Sequence, residues 1–211
     1  MVKSYLKEAI MVFVFDLDDT ICDTDKFSEF YIRRFFQKHN LPYKQIANNV
    51  RFAEKKFNWD IETALKWYKT YGDKMMLEFP CKDNAVKIIN SLHNNGHKIV
   101  IATARATDWH TEPEKITLEW LAKQDIKYDK IYIGRIDKEK ICEEVNADIF
   151  IDDDLKITQR VAEYFKDKRN KHAFLYTTDY NKNLPLPNEV ERILDFNDFA
   201  KKLEIYFKKE K

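Results

Sequence analysis

Glycine is scarce in this chain, at three in 211 residues. That scarcity excludes a glycine-rich loop as the means of holding phosphate, because such loops bring backbone N–H groups together where a Cβ would obstruct. Cysteine is equally sparse. Cys22, Cys81 and Cys142 lie far apart and fit neither a zinc spacing nor a disulfide framework. With no secretory signal at the start, they point to a reducing, cytoplasmic setting. Long apolar runs are missing: the stretch Ala9 to Phe15 is far short of the ~20 residues that a membrane helix needs, so no membrane partner is expected. An excess of one charge is missing too. The 37 basic and 36 acidic residues leave a net +1, and no basic stripe stands out, so a nucleic-acid polymer is not an expected partner either. Composition is silent on the oligomeric state.

What is present is an alternation of short apolar runs and helical patterns. The runs are Met11 to Phe15, Lys98 to Ala102, Ala147 to Ile151 and His172 to Tyr176. Continuous apolar strands imply burial on both faces, as in a parallel sheet. Between them, apolar residues recur at helical spacing around Val86–Leu92, Ile116–Leu121, Ile141–Val145, Val161–Phe165 and Phe199–Tyr206. Pro113 suits a first helical position and Asp137 a cap. Strand and helix in alternation predict an α/β fold with a central parallel sheet.

One region breaks the alternation. From Cys22 to Cys81 no strand is evident, and three helices are expected near Asp25–His39, Tyr43–Phe57 and Asp60–Met75. The expected division is a core of residues 1–21 and 82–211 and an all-helical insert of residues 22–81. The aromatics dense in that insert read first as its own core.

Three runs end abruptly in a polar residue, at Asp16, Thr103 and Asp152. Ligands of open α/β sheets sit outside the carboxyl ends of the strands, so these three belong to a candidate site. In DLDDT, Asp16 and Asp18 are two residues apart and point the same way in an extended segment. Two close carboxylates need a shared proton or a cation. Phosphoryl transfer can use both, with one aspartate attacking phosphorus and the other moving a proton. In DDD, Asp152 or Asp153 can supply a further metal carboxylate, while Asp154 reads as a surface residue or helix cap. Thr103 can donate to a phosphate oxygen. Arg105 either faces the same phosphate or pairs with a surface acid. Lys138 shares a helix face with Ile141, Cys142 and Val145, whereas Lys140 falls with Glu143 and Glu144 on the wet face. A lysine at a helix N-terminus opposes the helix dipole unless anions lie nearby, and Asp16, Asp152 and a phosphate would be such anions.

These pieces in this order, DLDDT, IVIATAR, Lys138 and IFIDD, resemble the haloacid dehalogenase superfamily over about Met11 to Tyr180. The resemblance implies a Rossmann-like core, a helical cap of the family's first type, and a Mg2+-dependent phosphatase. It makes Asp16 the nucleophile that forms a phosphoaspartate and Asp18 the general acid/base, with its carbonyl on the metal. It places Thr103 and Lys138 on the phosphate and Asp152 and Asp153 in the metal shell, leaving open which of the two binds the ion directly. TAR at Thr103–Arg105, Thr117–Ile131 and LYTTDYN at Leu175–Asn181 are similar to the 5'(3')-deoxyribonucleotidases and bacterial nucleotidase-like proteins. Those enzymes usually have Gly where this chain has Asp19. The implied substrate is a small phosphate ester, with a nucleoside monophosphate preferred and a cap aromatic such as Trp67 against the base. The alternatives are a sugar phosphate or a catalytically silent binding module.

Overall fold

The four apolar runs become four adjacent parallel strands, and each is flanked or extended only slightly from the sequence reading. A computed structural model describes residues 10–47, 50–107, 110–134 and 136–209. The strands are β1 (Val12–Phe15), β2 (Lys98–Thr103), β3 (Lys130–Ile133), β4 (Ile149–Asp152), β5 (His172–Tyr176) and β6 (Val190–Ile193). They form one sheet in the order β3-β2-β1-β4-β5-β6, with every pairing parallel. The two strands absent from the sequence reading, β3 and β6, are the two edges. Each is four residues long and only partly buried, so neither shows the continuous apolar signal of a central strand.

Successive residues of a strand face opposite sides, and each side has its own core. Phe13, Phe15, Ile99, Ile101, Ile149, Ile151 and Phe174 face one side. They meet Ile89 and Leu92 of α4 (Ala85–Asn94), Trp120 of α5 (Pro113–Lys123), and Phe196 and Phe199 of α8 (Phe196–Lys209). Val14, Val100, Phe150 and Leu175 face the other, against Ile141 and Cys142 of α6 (Lys138–Glu144) and Val161, Ala162 and Phe165 of α7 (Leu155–Phe165). This is the three-layer arrangement of a doubly wound sheet. Strand order reverses between β1 and β4, so a crevice opens beyond their carboxyl ends.

The insert contains α1 (Thr24–Lys38), α2 (Ala53–Phe57) and α3 (Ile61–Glu78). The chain leaves the sheet and returns as two segments side by side: Cys22 and Cys81 form an antiparallel bridge, Asp23 N–H donates to Pro80 O at 2.8 Å, and Lys82 N–H donates to Ile21 O at 2.8 Å. The aromatics of the insert pack on one another, with Phe57 5.0 Å from Phe36, 5.2 Å from Tyr43 and 5.6 Å from Trp59 between ring centroids.

The helix expected at Tyr43–Phe57 forms only from Ala53 onward; its positions 48 and 49 lie outside the described residues. Residues 41–47 and 50–52 form no helix, and Phe52 has φ of +76°, a conformation no helix interior permits. The N–H groups of Ile46 and Ala47 donate instead to Lys56 O, at 2.8 and 3.4 Å, so the segment folds back over the end of α2. Helix α3 outruns its expected end by three residues and starts where Asp60 caps it, accepting from Thr63 N–H at 2.7 Å.

Candidate active site

The parallel ladders set the geometry of the site. β1 pairs with β2 on one side and β4 on the other, and the three strands run out together at Asp16, Thr103 and Asp152. Asp16 continues the ladder, its N–H donating to Ile151 O at 2.9 Å. All three side chains are buried, as are Asp153, Arg105 and Lys138.

Lys138 joins two strand ends. Its Nζ donates to Asp16 Oδ1 and, at 2.7 Å, to Asp152 Oδ2. Lys140 lies on the exposed face of α6. Asp137 caps α6 by accepting from Glu139 N–H at 3.2 Å, which fixes where the helix begins and hence where Lys138 enters the crevice. Burial works against the charge on the Lys138 amine, but Asp152 and Asp16 outweigh it and raise its pKa.

Asp16, Asp152 and Asp153 each present a carboxylate oxygen, and the three atoms lie within 4.8 Å of one another. Asp16 Oδ2 and Asp153 Oδ1 are buried and lack a hydrogen-bond partner. Burial drives the Asp16 carboxyl up to about 7, with Asp152 and Asp18 adding to the effect and Lys138 opposing it. Burial likewise lifts Asp153 well above the usual carboxylate range, with the Arg51 guanidinium opposing and Asp16 and Asp152 reinforcing. Buried anions in this state are stabilised by a cation among them. An all-oxygen donor set suits a hard ion such as Mg2+ better than a softer transition metal, so the residues present fit that ion. Asp18 is not one of the three; its carboxylate turns elsewhere.

Asp18 is taken by Arg105. Nε and Nη2 of Arg105 donate to its two oxygens at 2.9 and 2.8 Å, a bidentate pair. Arg105 also donates to Thr117 Oγ1 at 3.3 Å and Cys22 Sγ at 3.4 Å. Burial pushes the Asp18 carboxyl up, but the Arg105 pair prevails and holds it below its ordinary value. Thr103 Oγ1 reaches Asp18 Oδ2 at 3.5 Å. Of the two positions the sequence left open for Arg105, the acid it pairs with is Asp18, half-buried inside the site rather than on the outer surface.

Asp19 has φ of +59°, a left-handed conformation in which Gly is free and Asp tolerable. Its Oδ1 accepts from Asp25 N–H at 2.8 Å in the first turn of α1, so the aspartate ties the loop to the insert where a glycine would supply only the turn. Asp154 caps α7, accepting from Lys156 N–H at 2.9 Å and Ile157 N–H at 3.2 Å.

Several contributors carry no local sequence signal. Tyr180 donates its hydroxyl to Asp153 Oδ2, and Asn181 Nδ2 donates to Asp153 O at 2.9 Å; both sit in the loop after β5. Arg51, from the insert, comes within 3.9 Å of Asp153 and 3.5 Å of Asp154. No spacing in the sequence pointed to Tyr180, Asn181 or Arg51 as neighbours of Asp153.

A cavity of about 380 Å³ adjoins these carboxylates, with Asp18, Asp19, Arg51 and Arg105 at one end and Trp67, Met75, Met76 and Phe79 among its apolar walls. Its size is that of a small-molecule site.

No protein-family model matches the sequence, and no curated protein matches it. Solved structures do. The haloacid dehalogenase-like family hydrolase SP0104 from Streptococcus pneumoniae is 15% identical with a TM-score of 0.62, covering 94% of this chain and 98% of its own. YfnB of Bacillus subtilis, named as a HAD-hydrolase in a structure bound to magnesium, is 15% identical with a TM-score of 0.60 over 93% of this chain and 99% of its own. The D,D-heptose 1,7-bisphosphate phosphatase of Burkholderia thailandensis is 13% identical with a TM-score of 0.55 over 92% and 98%. At these identities the likeness establishes the fold: an α/β chain with the six-stranded parallel sheet of haloacid dehalogenase-like hydrolases.

Proposed function

We propose that this chain is a Mg2+-dependent phosphomonoesterase that works through a phosphoaspartate on Asp16, and that its substrates are nucleoside 5'-monophosphates. The observation that carries the chemistry is the convergence of Asp16, Asp152 and Asp153 on one point with two buried carboxylate oxygens unsatisfied, beside a lysine that spans two of them. Mg2+, when bound, draws charge from the phosphoryl oxygens and keeps the surrounding carboxylates ionised.

An Asp16 oxygen bonds to phosphorus as the ester P–O bond breaks, and Asp18 gives a proton to the leaving oxygen. Water then attacks the phosphoaspartate, Asp18 takes its proton, and Asp16 is released with inorganic phosphate. Lys138 and Thr103 hold the phosphoryl oxygens and offset developing charge. The acid role requires Asp18 to leave Arg105, because that pair keeps it ionised. Once Asp18 turns to the leaving oxygen, the donors of Arg105 are free for the substrate. Asp152 and Asp153 hold the metal, with Tyr180 and Asn181 orienting Asp153. The insert of residues 22–81 serves as the cap, with its cavity receiving the leaving group.

Trp67, Met75 and Phe79 of the cavity suit the faces of a base, and Thr24, Asp25 and Ser28 in the same lining suit the hydroxyls of its sugar. Phosphate release from a panel of nucleoside monophosphates and sugar phosphates, with and without Mg2+, tests the proposal. Activity on nucleotides that disappears in Asp16→Asn is expected; hydrolysis that persists in Asp16→Asn, or that needs no divalent cation, would sink it.

A further inference from the structure

The insert meets the metal carboxylates through a cation. Arg51 lies just ahead of α2, its side chain 26% exposed, in the lining of the cavity. Its Nη2 stands 3.9 Å from Asp153 Oδ1, close enough for an ion pair and too far for a hydrogen bond. That oxygen is one of the two buried carboxylate atoms without a hydrogen-bond partner in the site, and Asp153 is one of the three acids that converge there. Arg51 also has an alternative partner. Its Nη1 donates to Asp154 Oδ2 at 3.5 Å, while the other oxygen of Asp154 caps α7. Asp154 stands outside the converging trio. The guanidinium carbon lies 5.9 Å from the ring centroid of Tyr180, whose hydroxyl holds the second oxygen of Asp153. Lys138 offers the contrast: its amine is enclosed and hydrogen-bonded to Asp16 and Asp152, whereas Arg51 is half-exposed and held loosely by two acids.

We propose that Arg51 is a built-in counter-cation that competes with Mg2+ for Asp153, so that a side chain of the insert lowers the affinity of the crevice for its ion. The inference rests on the metal reading above and adds a residue that regulates it. A guanidinium at this distance attracts the carboxylate and repels a dication bound to it. Asp154 gives Arg51 somewhere to remain when the ion takes Asp153. By linkage, Mg2+ loosens the hold of Asp153 on Arg51 by the same factor by which Arg51 loosens Mg2+. When no ion is bound, the guanidinium offsets a buried charge that would otherwise face only like charges. Arg51 is thus a positioning residue: it acts through Asp153 and does not touch the reacting phosphoryl group.

The test is titration calorimetry of Mg2+ into the full chain, without substrate. Arg51→Met and Arg51→Gln, each first shown to melt cooperatively, are expected to tighten the Kd for Mg2+ about 10-fold, as loss of a nearby like charge does. Lys55→Met removes an exposed lysine of the same segment and should leave the Kd within about twofold, because surface charges away from the ion are screened. Damage to local structure weakens metal binding, so tightening is a result that a merely structural role for Arg51 does not give. An unchanged or weaker Kd in the folded Arg51 variants would overturn the inference, as would equal tightening in Lys55→Met. If wild type binds no Mg2+, the metal reading itself fails, and the two failures are thereby told apart.

Discussion

The crevice at the ends of β1 and β4 and the cavity beneath the insert are neighbours with opposite characters. In the crevice, charge is concentrated and mostly matched: Lys138 serves Asp16 and Asp152, Arg105 serves Asp18, and Tyr180 serves Asp153. Its side chains stand on strand ends whose positions are set by backbone ladders on both sides. In the cavity, apolar side chains such as Ile32, Trp67, Met75 and Phe79 stand on helices of the insert or beside them and share the lining with polar Thr24, Asp25 and Ser28. Rigid placement of charge is what phosphoryl transfer requires. Selection of a leaving group requires shape and a small number of polar contacts. On the proposed function the two regions divide these demands, so each is expected to be open to disturbance without the other.

The largest expected effect lies in the crevice. Asp16→Asn should abolish phosphate release while the chain retains a cooperative thermal melt, because the change removes a carboxyl whose charge burial already disfavours; residual turnover near wild type would contradict the assignment. Next comes Lys138→Met. Removing one partner from a buried charge cluster costs about 3–5 kcal/mol, and Asp16 and Asp152 are left facing each other. Mg2+ should recover part of the lost Tm, since ligand bound only to the folded state stabilises it; a Tm loss indifferent to Mg2+ would separate Lys138 from the metal site.

In the insert, Phe57→Ala should cost about 3 kcal/mol through the cavity left among Phe36, Tyr43 and Trp59, yet the rise in Tm on adding Mg2+ should persist. Loss of that rise would show the two regions to be one unit. Tyr180→Phe is subtler: losing the hydroxyl that orients Asp153 should weaken Mg2+ binding about 10–100-fold, as removal of a ligand's supporting partner does, which titration calorimetry can follow without substrate.

The smallest effect is remote from both regions. His97 is buried beside β1, its Nδ1 accepting from Met11 N–H at 3.2 Å, and burial lowers its pKa from 6.5 despite the nearby Asp148. The unfolded chain therefore binds a proton that the folded chain refuses. Stability contributed by neutral His97 is complete above about pH 6.5 and declines as pH falls from there toward the lower folded value. His97→Gln should flatten that part of the stability profile; an unchanged slope would remove His97 as its source.

The four central strands were legible because burial on both faces demands an unbroken apolar run, as in MVFVF and ADIFI. Edge strands β3 and β6 escaped because partial exposure admits Lys130, Glu191 and Arg192. Helical phase alone separates Lys138 from Lys140. The segment before Ala53 was misread because a helical spacing of apolar residues does not reveal a backbone that folds over its own helix end. Arg51 and Glu54 were invisible for a related reason: reaching the crevice or the cavity depends on how the insert lies over the sheet, and local pattern carries no trace of that.

The amino-acid order alone determined a parallel α/β core, a helical insertion and a set of acids, a hydroxyl and a lysine at strand and helix ends, because these follow from periodicity and from where apolar runs stop. Only the tertiary structure decided that Arg105 clamps Asp18, that Tyr180 and Asn181 hold Asp153, and that Trp67 and Glu54 line one cavity. Those pairings join residues from 27 to 87 positions apart or from separate helices, and such contacts are fixed by packing of whole elements, which no short stretch of sequence encodes.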